Sequence, residues 1–211
     1  MISGRVSTTL LWFALAPFAA AGETAGGSVD SLLAALAREP PQSIAFTEFR
    51  SSPLLDRALV VTGTLEYAGP GRLARIVTSP HTERTDIDGD EVRIQRANQA
   101  ERRFSLRRMP ELGGLLTGFT ALLAGDRAAL EREFVLAYTE GATGWQLVLT
   151  PHGSRARARI ENIRVRGAGD APACIVTTPA KGGAPTELLL GAMNADAGDA
   201  DLRAARCALL P

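Results

Sequence analysis

Histidine and cysteine are scarce in this 211-residue chain, with two of each, and net charge is absent. The two histidines, His81 and His152, lie in different segments and share no ligand spacing with each other or with a cysteine. A metal site is therefore not expected. Basic and acidic side chains balance at 23 each, so the overall charge gives no argument for nucleic acid or an anionic surface as partner. Long apolar runs are missing too, except at the start. There Arg5 provides a positive n-region, Leu10 to Phe18 an apolar stretch, and Ala19-Ala20-Ala21 a small-residue cleavage site. Residues 1–21 are expected to be a secretory signal, because a membrane span needs about 20 consecutive apolar residues. No cysteine stands at the cleavage point, which argues against a lipid anchor. About 190 residues remain, a length suited to one domain with a real core.

Cys174 and Cys207 are the only cysteines. In an oxidising compartment they can pair, closing a loop worth roughly 3–4 kcal/mol on a chain-entropy argument. The alternative is two separate thiols, one in a strand and one in a tail. No catalytic constellation is visible. Asp86-Ile87-Asp88-Gly89-Asp90-Glu91 resembles a calcium loop only briefly: its glycine is not at the sixth place, and Ala97 stands at the twelfth. His152-Gly153-Ser154 lacks the spacing of a nucleophile elbow. Asp199 and Asp201 read as solvated tail carboxylates. Neither an enzyme nor a cofactor is expected.

What the chain does have is alternation. Arg57 to Pro80 reads as two strands and a turn. Leu59, Val61, Leu65 and Tyr67 fall on one face, and Ala68-Gly69-Pro70-Gly71 forms the bend. This hairpin is taken as the heart of an antiparallel sheet. Before it, Ser28 to Arg38 predicts an amphipathic helix capped by Ser28 and ended by Pro40-Pro41. Ile44 to Arg50 predicts a strand with Ile44, Phe46 and Glu48 on one face. After it, Asp88-Gly89 predicts a hairpin turn, and Val92 to Ala97 and Arg102 to Arg108 predict strands. Phe134 to Tyr138, Trp145 to Leu149, Arg155 to Arg166, Ala173 to Thr178 and Glu187 to Met193 continue the sheet. A phase slip between Ile160 and Ile163 predicts a bulge. Arg155, Arg157 and Arg159 are read as one strand face, either solvated or touching an anionic headgroup or partner.

One stretch departs from this pattern. From Leu112 to Leu123 the period turns helical, with Leu112, Leu115, Leu116, Phe119, Leu122 and Leu123 on one side. The other side holds Gly113, Gly114, Thr117, Gly118, Thr120 and Ala121, without a charge. A surface helix carries charge on its far face, and each glycine costs about 1 kcal/mol against alanine, so this helix is weak. Asp126 is expected to cap a further turn, Arg127 to Arg132. The whole predicts a mainly β fold with helices: a curved antiparallel half-barrel of about ten or eleven strands, with a helical lid on its concave face. Burying six large apolar side chains gives roughly 9–18 kcal/mol, and a sixteen-carbon acyl chain roughly 12. A lipid could thus displace the helix at little net cost. A closed, dry core is the alternative.

The order of these pieces resembles a known family. A helix, FTEFR (Phe46 to Arg50), the GTLEY strand, a proline-containing turn with a leucine just beyond, DG, a mid-chain helical excursion and WQLVLTP (Trp145 to Pro151) together resemble the LolA-type periplasmic carriers of outer-membrane lipoproteins. The divergent LolA-like branch, encoded beside lipid or polyene biosynthesis, is the nearer match. The resemblance covers Val29 to Met193. It implies a domain over 22–193 with a C-terminal tail at 194–211, in a periplasmic monomer that binds no nucleic acid. It implies a lipid-binding cavity formed by Phe46, Val61, Leu65, Leu73, Trp145 and Leu147, and a lid carrying Leu112, Leu115, Leu116, Phe119 and Leu122. Established carriers have a lid-latching arginine directly before the hairpin proline. Gly69 takes that place here, leaving Arg72 and Arg75 as the nearby substitutes. The implied partners are lipoprotein acyl chains or other lipidic cargo, an inner-membrane exporter and an outer-membrane acceptor. The function implied is that of a non-enzymatic carrier, or alternatively of a periplasmic sensor or adaptor that binds a partner protein.

Overall fold

The computed structural model describes residues 27–51, 55–108, 110–191 and 207, with 110–115 described by backbone alone. Eleven antiparallel strands form one sheet. In chain order they are β1 (Gln42–Arg50), β2 (Leu59–Gly69), β3 (Arg72–Ser79), β4 (Glu83–Asp88), β5 (Glu91–Arg96), β6 (Arg102–Ser105), β7 (Phe134–Gly141), β8 (Gly144–Pro151), β9 (Ile160–Ala168), β10 (Ala171–Pro179) and β11 (Thr186–Leu190). In space the order is β6-β5-β4-β3-β2-β1-β11-β10-β9-β8-β7. Two meanders thus meet at a seam, where β1 pairs with β11 from Phe46↔Leu190 to Arg50↔Thr186. The central strand is therefore β1, and the β2–β3 hairpin lies beside it. No described pairing joins β6 to β7, so the curved sheet stays open.

Helices cover the concave face. α1 (Val29–Leu36) begins at a capping box. The Ser28 hydroxyl accepts from the Ser31 backbone N–H at 3.1 Å, and Ser31 Oγ accepts from the Ser28 N–H at 2.8 Å. Its Leu32, Leu33 and Leu36 are buried. α2 (Pro110–Ala124) starts with proline at its first position, where a missing N–H costs nothing. It ends in a Schellman motif: Asp126 N–H donates to the Ala121 carbonyl at 2.9 Å and Gly125 N–H to Leu122 at 3.2 Å. Gly125 has φ +67°, and a Cβ there would lie 2.8 Å from the Leu33 carbonyl oxygen. The same Asp126 then caps α3 (Arg127–Glu133) by accepting from Ala129 N–H at 2.9 Å. One Gly-Asp pair therefore turns the chain sharply and starts the next helix.

The uncharged far side of α2 has a packing reason. Thr120 and Ala121 are buried, and Thr120 Oγ1 donates back within the helix, 3.1 Å from the carbonyls of Leu116 and Thr117. A Cβ on Gly118 would sit 2.0 Å from the Phe134 ring, so glycine is what lets β7 and α2 approach. From Gly118 to Leu122 the helix is covered on both sides, which explains why this part carries no charge; Thr117 is exposed.

Several expectations shift in detail. The β4–β5 loop is Gly89-Asp90, one residue later than the expected Asp88-Gly89, because Asp88 stays paired with Glu91. The strand expected over Arg102 to Arg108 stops at Ser105. A 3₁₀ turn over Leu106–Arg108 then carries Leu106 into the core, its N–H donating to the Asp90 carbonyl at 2.7 Å. Arg155, Arg157 and Arg159 do not line a strand. α4 (Ser154–Arg157) and the turn after it hold them, and β9 begins only at Ile160. The expected bulge is present: Ile160 pairs with Pro179 and Asn162 with Thr178, leaving Glu161 between them. Cys174 and Cys207 are bonded, with Cα atoms 5.6 Å apart. Cys207 is helical and packs with Phe49, Cys174 and Leu189 on the convex side of the seam.

Replacing a helical glycine with alanine ordinarily stabilises by about 1 kcal/mol. Here the sign should reverse. Gly118→Ala is expected to lower stability by about 1–3 kcal/mol, because the Phe134 ring must move. Urea unfolding of the two proteins measures it, and a stabilised variant would refute the packing argument.

Candidate functional site

Strand alternation places one inner row on each strand. Phe46 lies opposite Gly63 and Leu190, Ile44 opposite Leu65, Leu73 opposite Tyr67, and Leu147 opposite Tyr138 and Val165. All six residues expected in a cavity lie on this concave face. Leu65 and Leu73 line a void directly beneath α2, together with Phe119 and Leu122 of the lid. Phe46, Val61 and Leu147 are buried in the core around it. Trp145 belongs to the same core, at its border with an open cleft of about 490 Å³ between α1 and the β7–β8 turn, and its indole N–H donates to the Gly169 carbonyl at 2.9 Å. Leu116, Phe119 and Leu123 pack on the cluster of Tyr67, Leu73, Ile87, Val92 and Leu106. Leu112 and Leu115 belong to α2, but their side chains lie outside the described residues.

The void under α2 measures about 20 Å³. That holds about one water, against roughly 300–1,000 Å³ for a small-molecule pocket. α2 therefore fills the space beneath it. The lining also includes Ile44 and Tyr67, which the alternation placed on the faces of Phe46 and Leu65 without assigning them to a cavity, and Val165, Ile175 and Leu190, which sequence reading did not single out. Their inward positions in alternating strands were the available signal.

The lid's C-terminal end is tied by Arg38. Its backbone N–H donates to the Leu123 carbonyl at 2.9 Å. Its guanidinium donates to the Ala35 carbonyl at 2.9 Å and to the carbonyl of Asp170 in the β9–β10 turn. Arg72 lies exposed at the β2–β3 hairpin, opposite Gly69 and Asp88. Arg75 points into the concave face, where it donates to Glu48 and stacks 4.9 Å over the Phe46 ring.

Glu48 is 7% exposed and carries two guanidiniums. Arg50 donates Nε to Oε1 at 2.6 Å and Nη2 to Oε2 at 3.2 Å, a bidentate fork. Burial pushes this carboxyl upward, but the hydrogen bonds and charges of Arg50 and Arg75 outweigh it and hold the group below its ordinary value. Glu83 extends the network, 3.9 Å from Arg75 and 2.5 Å from Arg96. Sequence reading placed Glu48 on one face with Ile44 and Phe46 without assigning it a role.

Among the described residues no group of three or more metal-ligating side chains comes together, and no helix is long and apolar enough to cross a membrane. The family described as outer membrane lipoprotein carrier protein LolA-like matches residues 19–209, and the chain belongs to it. Among solved structures, a LolA superfamily protein from Nitrosomonas europaea is 13% identical, covering 79% of this chain and 92% of its own, with a TM-score of 0.41. An outer-membrane lipoprotein-sorting protein domain from Vibrio parahaemolyticus is 13% identical over 78% and 89%, with a TM-score of 0.44. A chain of the Pseudomonas aeruginosa MucA/MucB complex is 12% identical over 82% of this chain and 60% of that one, with a TM-score of 0.40. No curated protein matches.

Because the folded-state pKa of Glu48 is depressed, its ionised form stabilises the fold at neutral pH, and that contribution disappears as the pH falls through the lowered value. Glu48→Gln should therefore cost about 2–4 kcal/mol at pH 7. The difference from the parent should shrink once the pH drops below 4.5. Urea titrations at stepped pH measure both; a cost that stays constant into acid would show that ionisation is not the source.

Proposed function

We propose that the protein is a non-enzymatic periplasmic carrier. It shields the acyl chains of a lipoprotein, or of another lipidic or polyene cargo, between an inner-membrane exporter and an outer-membrane acceptor. The observation that carries this reading is the inner face: an apolar concavity filled by a glycine-containing helix that leaves about 20 Å³. Membership of the lipoprotein-carrier family supports the same cargo class. On this reading residues 1–21 direct export and are removed near Ala21, and the chain works as a monomer. The acyl chain takes the place of Phe119, Leu122 and Leu123 against Ile44, Leu65, Leu73 and Ile175. The exchange is close to neutral, since the apolar areas are similar.

A second reading has one observation in its favour. β7 is an eight-residue edge strand with no strand paired to its outer side among the described residues, and Val135 is 53% exposed and Ala137 and Thr139 also exposed. Such an edge accepts an added strand. A periplasmic sensor or adaptor would use it to hold a partner protein.

Native mass spectrometry of the protein purified from its own periplasm, followed by lipid extraction, separates the two. A bound mass released by organic solvent supports the carrier. A clean apo mass, with a co-purified protein and no uptake of a fluorescent fatty-acid probe, supports the adaptor. Lid competition makes a sharper forecast. Phe119→Ala removes lid burial, a change costing about 3–5 kcal/mol in a well-packed core. If cargo must displace the lid, the variant should be less stable but take up the probe more tightly, by about tenfold or more. Weaker uptake would show that Phe119 holds cargo and does not compete with it.

A further inference from the structure

Over β1–β5, every charged side chain on the concave face lies in one patch at one end. The register runs Phe46↔Gly63↔Val77↔Glu83↔Arg96 across five strands, so Glu83 and Arg96 share the face of Phe46. Glu48 and Arg50 follow two and four residues after Phe46 on β1, and Arg75 lies opposite Leu65. The opposite end of the same face is the apolar cluster of Tyr67, Leu73, Ile87 and Val92, which α2 covers with Leu116, Phe119 and Leu123. The half-barrel is thus amphiphilic along its strands: apolar beneath the lid, charged beyond it.

The patch holds three guanidiniums against two carboxylates. Its parts differ in exposure. The Glu48 and Glu83 side chains are 10% and 13% exposed, and Arg75 is 22% exposed and rests on Phe46. The Arg50 and Arg96 side chains are 48% and 44% exposed. The two carboxylates sit low and hold the guanidiniums from beneath. Arg50 uses Nε and Nη2 on Glu48, and Arg96 uses Nε on Glu83. The rest of each of these two side chains is open to solvent. Guanidiniums fixed by buried carboxylates present donors in a set geometry, which suits a planar or tetrahedral oxyanion.

We propose that this patch is a head-group subsite for the anionic end, phosphate or carboxylate, of an amphiphilic cargo whose acyl chains displace α2. The inference rests on the carrier reading and narrows it to cargo with an acidic polar end. Leu65 lines the lid-covered void and pairs directly with Arg75, so chain and head group would meet without a gap. Arg50 on β1 and Arg96 on β5 offer the outward donors at the two sides of the patch, while Arg75, held by Glu48 and Phe46, sets the floor between them.

The test uses the full chain with its disulfide intact and three lipids of identical acyl chains: phosphatidylglycerol, phosphatidylcholine and diacylglycerol. Retention is read by native mass spectrometry. The wild type should prefer phosphatidylglycerol over diacylglycerol by about tenfold, and this ratio should fall as sodium chloride is raised. In Arg50→Gln/Arg96→Gln the ratio should drop to about one, while Arg96→Lys, which keeps the charge, should hold most of it. If the double variant does not fold, the salt dependence of the wild-type ratio decides. A salt-independent ratio, or one already near one, overturns the subsite and leaves the carrier reading standing. Retention of no lipid overturns both. Glycerol phosphate competing as well as phosphatidylglycerol would show a site for free anions and overturn the amphiphile.

Discussion

Contact between the apolar stripe of α2 and the inner face of the open sheet is the interaction on which the rest of the structure depends. Eleven strands in two meanders leave a concavity that no described strand closes. An open apolar surface of that kind is unfavourable in water, at about 25 cal/mol for each Å² exposed. Phe119, Leu122 and Leu123 cover it together with Leu32, Leu33 and Leu36 of α1. The small far side of α2 follows from the same requirement. α3 and β7 pack against its C-terminal half, and Gly118 gives Phe134 the room to do so. A helix of poor intrinsic propensity thus persists because both its faces are covered from Gly118 to Leu122.

The fold was largely legible because it is written in local alternation. Ile44, Phe46 and Glu48 show the inward row of β1 without any structure, and the period change at Leu112 reveals the helix among the strands. Asp126 was readable as a cap because capping is a short-range hydrogen bond. Other features were not legible, for the same physical reason. That β1 is the central strand depends on its pairing with β11, some 140 residues away in sequence, and nothing local encodes that partner. The arginines at 155, 157 and 159 alternate like a strand, yet a turn of helix is what joins β8 to β9 there.

The site was half legible. Leu65 and Leu73 beneath Phe119 and Leu122 follow from pattern and family resemblance together. Arg38 was invisible, because its role is a backbone N–H meeting the end of a helix 85 residues further on. Glu48 was seen on the face of Ile44 and Phe46, but a carboxylate there could be assigned meaning only once Arg50, Arg75, Glu83 and Arg96 were found around it. On the convex side, Cys207 packs over β1, β10 and β11 at the seam, so the two meanders are clasped from behind while α2 fills them from the front.

The chain leaves the sheet at β6, one free edge, passes through α2 and α3, and re-enters at β7, the other free edge. In mechanical terms the sheet is a bow and the helices are its string. A lid hinged at one end touches its frame in one place, whereas a string is attached to the bow in two. On the carrier reading, cargo that moved α2 would therefore be felt at β6 and at β7 together, the two outermost strands of the sheet. A partner seated on the β7 edge would then share a strand with the segment that answers to the interior.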